Sequence, residues 1–187
     1  MKYFIEIGSN NYNTLNSLAK TKEWIGVLVE PLKHVFDSIE KVDGCFYENV
    51  AITETGGTHK FYYYDYSWSN GWGTVEKDHL KKLIDPLNPS RSLEEPNCIE
   101  VPSMTFNDLY KKYKFPKLDL LKIDAESYDA KIVKSINFNE VSIDRIIFEH
   151  HHLSTTELLE TIFYLSSHNM AASSFDEGNI MFIRYEK

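Results

Sequence analysis

Short apolar runs alternate with segments of helical spacing along the first fifty residues of the chain. "KYFIEI" from Lys2 and "WIGVLVE" from Trp24 have the apolar, β-branched composition typical of strands. Each is followed by a segment whose apolar positions suit one face of a helix, and "CFYENVAIT" from Cys45 predicts a third strand. Two successive strand–helix units and a further strand favour a parallel sheet with right-handed crossovers.

The second half of the chain continues the alternation. Thr105 followed by Asp108 indicates a capped helix start, and "LDLLKID" is an unbroken apolar run typical of a central parallel strand. A helix over "SYDAKIVKSI", a strand over "IDRIIFEH" and a helix capped by Ser154 and Glu157 are predicted next. "MAASSF" and "NIMFIRY" flank a turn at "DEGN" and predict an antiparallel hairpin. We therefore expect one α/β domain over residues 1–187, with a mostly parallel, doubly wound sheet.

The middle of the chain keeps no lasting period. Residues 65–98 mix tyrosine, glycine, proline and charge, which predicts a long functional loop or lid, with disorder as the alternative interpretation. Within it, "SWSNGW" combines tryptophans that could stack on sugar faces with small polar residues that could form hydrogen bonds. The predicted acceptor-binding residues are Trp68, Ser69, Asn70 and Trp72. A loop pinned to the core by tryptophan would leave the same pattern.

Charge and composition narrow the range of partners. The net charge of −8 argues against a basic stripe and hence against nucleic acid as a partner. No run approaches the roughly 20 apolar residues that cross a bilayer, and the first residues turn polar too early for a signal peptide. We expect a cytoplasmic protein that acts on a small molecule or a glycan and has no membrane partner. The sequence leaves open whether the protein forms a homo-oligomer.

Two strand ends indicate a nucleoside site, because ligands of open α/β sheets bind outside the carboxyl ends of the strands. The first strand ends at Gly8, and Asn10 and Asn11 tolerate left-handed backbone conformations. The second ends at Glu30, 22 residues after Gly8, close to the interval at which nucleotide-binding folds place an acid for the ribose hydroxyls. These residues together predict a nucleoside-bearing cofactor, although a plain turn and a strand-ending acid would look the same.

Carboxylates and histidines follow the two later strands. Asp124, Glu126 and Asp129 come after the apolar run "LLKI", and Glu149 precedes three histidines at 150–152. Histidine titrates near neutral pH, and a neighbouring carboxylate can tune it, so these groups are candidates for a catalytic base. We expect His150 to be that base.

Two other interpretations of these residues remain open. Glu126 could stabilise the N-terminus of its helix, where negative charge is favoured. The same carboxylates and histidines could hold a divalent ion, but no tight ligand motif is present, and we expect no metal.

The order of these motifs resembles that of the FkbM-type S-adenosylmethionine-dependent methyltransferases. The matching stretches are "FIEIGSNNYN", "WIGVLVEP", "ENVAIT", "VPSMTFNDL", "LDLLKIDAESYDAKIVKS" and "IIFEHH", which span residues 4–151 apart from the middle loop. Where that family typically has L-L-K-I-D-x-E-G-x-E, this chain has Ser127 for the glycine and Asp129 for the last acid. Where it has D-x-G-A-N-x-G, this chain has Ser9 for the alanine and Tyr12 for the last glycine.

The resemblance implies a Rossmann-like class I methyltransferase fold and S-adenosyl-L-methionine as the cofactor. It implies that Asp124 faces the sulfonium and the acceptor, which we expect to be a hydroxyl of a sugar or another small polar metabolite. The candidate catalytic residues, taken from their chemistry, are Asp124, Glu126, Glu149 and His150. The implied cofactor-binding residues are Glu6, Gly8, Ser9, Asn10, Glu30, Pro31, Asn49, Val50, Ala51 and Asp124.

Two alternatives belong to other functional classes. A non-catalytic nucleoside-binding module of the same fold would explain the departures at Tyr12 and Ser127, because a bulky Tyr12 would cover the methionine part of the cofactor or crowd the helix start. An NAD-dependent oxidoreductase would also use a strand-end acid such as Glu30. It usually needs G-x-G-x-x-G, of which only Gly8 is present.

Overall fold

The computed structural model describes residues 1–12, 14–65, 72–81 and 95–185. Its strands are β1 (Lys2–Ile7), β2 (Trp24–Val29), β3 (Cys45–Glu48), β4 (Ala51–Ile52), β5 (Gly57–Tyr63), β6 (Gly73–Thr74), β7 (Asn97–Met104), β8 (Leu120–Ile123), β9 (Arg145–Glu149), β10 (Met170–Phe175) and β11 (Asn179–Arg184). Its helices are α1 (Asn16–Ala19), α2 (Lys33–Ser38), α3 (Phe106–Tyr113), α4 (Asp129–Ser135) and α5 (Thr155–Ser167). Residues 77–81 are helical as well.

A seven-stranded sheet forms the centre of the fold, in the order β10-β11-β9-β8-β1-β2-β3. The five strands from β9 to β3 pair in parallel, whereas β11 runs antiparallel to β9 and pairs with β10 as a hairpin. The strand order reverses between β1 and β8, and this switch point is where such sheets bind ligands. The predicted α/β fold, with its mostly parallel sheet and C-terminal hairpin, is confirmed.

Burial on both faces explains why the central strands are continuous apolar runs. On one face Ile5 and Leu121 join the core beneath α3, α4 and α5, and on the other Phe4 and Leu28 pack with residues of α1 and α2. Gly26 in β2 makes room for the Phe4 ring, because a Cβ at Gly26 would lie 2.0 Å from Phe4 Cζ. The sheet is therefore enclosed, and its strand ends remain available for ligands.

The predicted third strand is wrong in its extent. The segment divides into β3, which joins the central sheet, and β4, which joins a second sheet of order β4-β7-β5-β6. Asn49 lies at the break, and its Nδ2 donates to the carbonyl oxygens of Glu30 at 2.8 Å and Pro31 at 3.0 Å. An asparagine side chain that bonds to nearby backbone competes with strand pairing, which ends β3 at that point.

The predicted loop over residues 65–98 contains regular elements in its described part. β6 pairs antiparallel with β5, a helical stretch follows at 77–81, and β7 begins at Asn97. Leu80 in the helical stretch is fully buried and packs with Tyr64. These elements are too short to leave a periodic pattern in the sequence. Residues 66–71 and 82–94 lie outside the description.

Both predicted helix caps are confirmed. The Thr105 side chain accepts a hydrogen bond from the backbone N–H of Asp108. Ser154 and Glu157 form a reciprocal capping box at the start of α5. No helix among the described residues combines the length and the apolar character that a membrane span requires.

Candidate active site

A pocket of about 250 Å³ opens at the carboxyl ends of β1, β2 and β8. Gly8, Glu30 and Asp124, one from each of these strand ends, line it together. Gly8 has a φ of 72°, and a Cβ there would lie 1.7 Å from the carbonyl oxygen of Asp124. Only glycine allows this approach, so the pocket wall where the end of β1 meets Asp124 depends on Gly8.

Glu30 is a buried acid held by the backbone. Its Oε2 accepts a hydrogen bond from Asn10 N at 3.0 Å, and its Oε1 accepts one from Leu32 N at 2.8 Å. Burial, helped by the charge of Asp124, raises the pKa of Glu30 to about 7 against the lowering effect of these two bonds. Each carboxylate oxygen has a second lone pair for a ligand hydroxyl.

Three carboxylates, Asp124, Glu126 and Glu149, line the opposite part of the pocket, which we call the acidic end. Burial, and then repulsion from neighbouring carboxylates, raises the pKa of Glu126 to about 8 and that of Glu149 to about 9. Lys122 also lines the pocket, but it forms an ion pair with Glu6 at 2.8 Å. The acidic end therefore favours a cationic ligand, which would relieve the repulsion between these carboxylates.

The remaining lining is largely apolar or aromatic. Pro31 follows Glu30 directly, and the apolar side chains on this part of the wall are Pro31, Val50, Ala51, Ile52 and Phe61. Tyr12 and Trp72 also line the pocket, and Tyr12 is 56% exposed. An apolar wall beside a carboxylate suits a nucleobase joined to a ribose.

Most of the implied cofactor-binding residues meet in this pocket, namely Gly8, Ser9, Asn10, Glu30, Pro31, Val50, Ala51 and Asp124. Glu6 and Asn49 lie outside the lining. Glu6 is fully buried and accepts a hydrogen bond from Leu15 N at 2.7 Å, which holds the segment after β1. Asn49 holds the backbone at the end of β2. Both residues support the pocket walls.

Of the candidate catalytic residues, Asp124, Glu126 and Glu149 line the pocket and His150 does not. The backbone N–H of His150 bonds to Gly178 O, and its ring packs on Phe175 with centroids 4.2 Å apart. This contact with the C-terminal hairpin directs the side chain away from the acidic end. The structure therefore does not bring His150, the expected base, into the pocket.

Among the candidate acceptor-binding residues, Trp72 lines the pocket. Trp68, Ser69 and Asn70 lie outside the described residues. The position of Trp72 agrees with the expectation, and the acceptor-binding role of all four residues stays a prediction.

A sequence model of the methyltransferase FkbM domain matches residues 6–171 of the chain. The chain belongs to the FkbM methyltransferase family. A search of curated proteins found no match to its sequence.

Solved structures with a similar fold include the fibrillarin pre-rRNA processing protein of Methanococcus jannaschii. The two share a TM-score of 0.51 and 8% identity, over 100% of this chain and 67% of that one. The precorrin-6y C5,15-methyltransferase of Geobacter metallireducens has a TM-score of 0.45 and 11% identity, over 98% of this chain and 80% of that one. At 8% identity the likeness to the fibrillarin protein shows the fold alone, and together with the family match that fold is the Rossmann-like class I methyltransferase fold.

The FkbM family and this fold imply S-adenosylmethionine as the cofactor, and the residues of the pocket fit it. Glu30 offers lone pairs for the ribose hydroxyls, and the apolar wall suits the adenine. The acidic end suits a sulfonium because positive charge is favoured there. Gly8 leaves the backbone bare where β1 and β8 approach each other.

Sequence reasoning missed several residues of the pocket, among them Lys122, Tyr128 and Asn179. Lys122 carries a signal in retrospect, because it is a charged residue inside the apolar run "LLKI". Tyr128 and Asn179 carry none, since their presence depends on how the loop after β8 and the turn before β11 fold over the pocket. The hydroxyl of Tyr128 donates to Glu54 at 3.0 Å, which places its ring beside the second sheet.

Proposed function

We propose that this FkbM-family protein transfers the methyl group of S-adenosylmethionine to a hydroxyl oxygen of a small polar acceptor such as a sugar. The observation that carries the proposal is the shared pocket of Gly8, Glu30 and Asp124. Glu30 receives the ribose hydroxyls, and the acidic end receives the sulfonium together with the acceptor.

The reaction requires the protein to align the acceptor oxygen and to take its proton. S-adenosylmethionine supplies a methyl group on a positively charged sulfur, which is already a good electrophile. Asp124 is the candidate for this proton, because it lines the pocket directly after β8, where its backbone N–H bond to Ile7 O at 3.0 Å holds the chain. Burial raises the pKa of Asp124, which makes it a stronger base than an exposed carboxylate.

The polar nature of the acceptor follows from the groups around the acidic end. Carboxylates accept hydrogen bonds and donate none when ionised, so they suit an acceptor that carries several hydroxyl groups. Trp72 and Tyr12 add aromatic faces at the pocket, on which a sugar ring can stack. Tyr12 is exposed at the pocket rather than buried against α1, which supports an open binding site.

Cofactor binding is the first test, by calorimetric titration with S-adenosylhomocysteine. We expect Glu30→Gln to weaken binding about 10-fold or more, because a charged hydrogen-bond partner contributes about 1.5 to 3 kcal/mol. Glu48→Gln is the matched control, since Glu48 ends the neighbouring strand β3 and bonds to Lys112 and Tyr113 outside the pocket lining. Equal affinities for the two variants would contradict the role of Glu30.

Turnover is the second test, measured as S-adenosylhomocysteine formed from S-adenosylmethionine with a panel of sugars and polyols. We expect Asp124→Asn to keep its affinity for S-adenosylhomocysteine. Its turnover should fall about 100-fold, the lower end of what a general base contributes. Unchanged turnover would show that a residue other than Asp124 is the general base. Tight binding without methylation of any acceptor would instead support the non-catalytic binding module.

A further inference from the structure

We propose that Glu149, His151 and His152 bind one divalent transition-metal ion beside the cofactor pocket. Glu149 is the last residue of β9, and the two histidines follow in the turn after it. One carboxylate oxygen and two ring nitrogens, one donor atom from each residue, all lie within 4.8 Å of one another. The turn thus gathers three metal-ligating side chains from four consecutive positions.

The distances from the two carboxylate oxygens of Glu149 to the two rings suit a single ion. Glu149 Oε1 lies 3.2 Å from His151 Nδ1, and Glu149 Oε2 lies 3.4 Å from His152 Nε2. Donors about 2.1 Å from a tetrahedral ion lie about 3.4 Å from each other. A second carboxylate is within reach, because Glu126 Oε2 lies 3.6 Å from His152 Nε2. The rings of His151 and His152 lie side by side, with centroids 3.5 Å apart, so both ligands are present at the same place in the turn.

The carboxylates around the turn favour the binding of a cation. Among the described residues, none of Asp124, Glu126, Asp129 and Glu149 forms an ion pair with lysine or arginine. Glu149 Oε2 is buried and has no hydrogen-bond partner in the described part of the chain. An unsatisfied buried oxygen is costly, and a metal ion at this oxygen would remove the cost.

The ligand types indicate which class of metal fits. Two imidazoles with a carboxylate suit zinc, iron(II), cobalt or nickel, whereas magnesium and calcium prefer oxygen ligands. The His151 side chain is 44% exposed, so water can complete the coordination, as in metal sites that keep an open position. The His79 ring packs edge-on against His152, with centroids 5.0 Å apart, and fixes the orientation of that ligand.

Metal binding can be measured without cofactor, by calorimetric titration of chelator-treated protein with Zn²⁺ and by the visible absorption of Co²⁺. We expect one ion per chain, with affinity at least about 10-fold lower in His151→Ala and in Glu149→Gln. His150→Ala is the matched control, because this neighbouring histidine bonds to Asp176 O at 3.0 Å and should leave metal affinity unchanged. Thermal unfolding of each variant would show that it is folded.

Three results would overturn the proposal: no saturable binding of Zn²⁺ or Co²⁺, an unchanged affinity in His151→Ala, or an equal loss in His150→Ala. Exposed His151 is the decisive position, since its replacement has little effect on the core. The titration contains no S-adenosylmethionine or acceptor. A failed metal site would thus leave methyl transfer standing, and failed methyl transfer would leave the metal site standing.

Discussion

Replacing Ser127 with glycine should stabilise the protein. Ser127 has a φ of 80° in the connection between β8 and α4, next to Glu126 with a φ of 47°. The FkbM-type motif that this stretch resembles has glycine at this position, and the structure gives a physical reason, since a positive φ favours glycine. The Ser127 hydroxyl is also buried without a hydrogen-bond partner among the described residues.

The expected gain is about 1 to 2 kcal/mol in the free energy of unfolding. Release from the left-handed conformation contributes about 1 to 2 kcal/mol, and loss of the unsatisfied hydroxyl adds about 1 kcal/mol at the lower end of its range. The greater entropy of glycine in the unfolded chain opposes this by about 0.5 to 1 kcal/mol.

Urea unfolding followed by circular dichroism would measure the change. Ser142→Gly is the control, because Ser142 is exposed and is absent from the residues with positive φ. It should lose up to about 1 kcal/mol through backbone entropy alone. A Ser127→Gly protein that is no more stable than the wild type would refute the attribution of strain to this residue.

Three further predictions concern ionisable groups and a helix cap. The stability of the wild type relative to Glu30→Gln should fall by about 3 kcal/mol between pH 4.5 and pH 7, as measured by urea unfolding across that range. The sign follows because the pKa of Glu30 is raised to about 7, so the folded protein holds a proton that the unfolded chain releases. Lys122→Met should lower stability by about 3 kcal/mol at pH 8, and by less at pH 5, because it removes the cation that pairs with fully buried Glu6; thermal unfolding at both pH values would test this. Ser154→Ala should cost about 1 kcal/mol in the same assay, because it removes the capping box of α5, and an unchanged stability would contradict that role.

The sequence was sufficient to predict those pocket residues whose positions depend only on where a strand ends. Runs such as "LDLLKID" are apolar because the central strands are buried on both faces, so their order along the chain indicates the sheet. Parallel strands end at one edge, which brings Gly8, Glu30 and Asp124 together without knowledge of any side-chain contact.

Side-chain direction at the strand ends could not be predicted. Glu6 and Asn49 stand at the expected positions, yet one pairs with Lys122 and the other bonds to the backbone of Glu30 and Pro31. The consecutive histidines are a harder case, since none of His150, His151 and His152 lines the pocket. The backbone N–H of His150 bonds to Gly178 O, and that contact joins residues far apart in the sequence.

The two ends of the pocket recognise ligands by different physical means. At Glu30, backbone N–H groups hold both carboxylate oxygens, so binding there depends on hydrogen-bond geometry. At the acidic end, desolvated carboxylates repel one another, so binding depends on positive charge. The end of β1 lies between the two, because β1 pairs with β2 on one side and with β8 on the other, and Gly8 lets the backbone of β1 approach Asp124 O. A ligand with hydroxyl groups at one end and a cation at the other satisfies both requirements, which a neutral nucleoside does not.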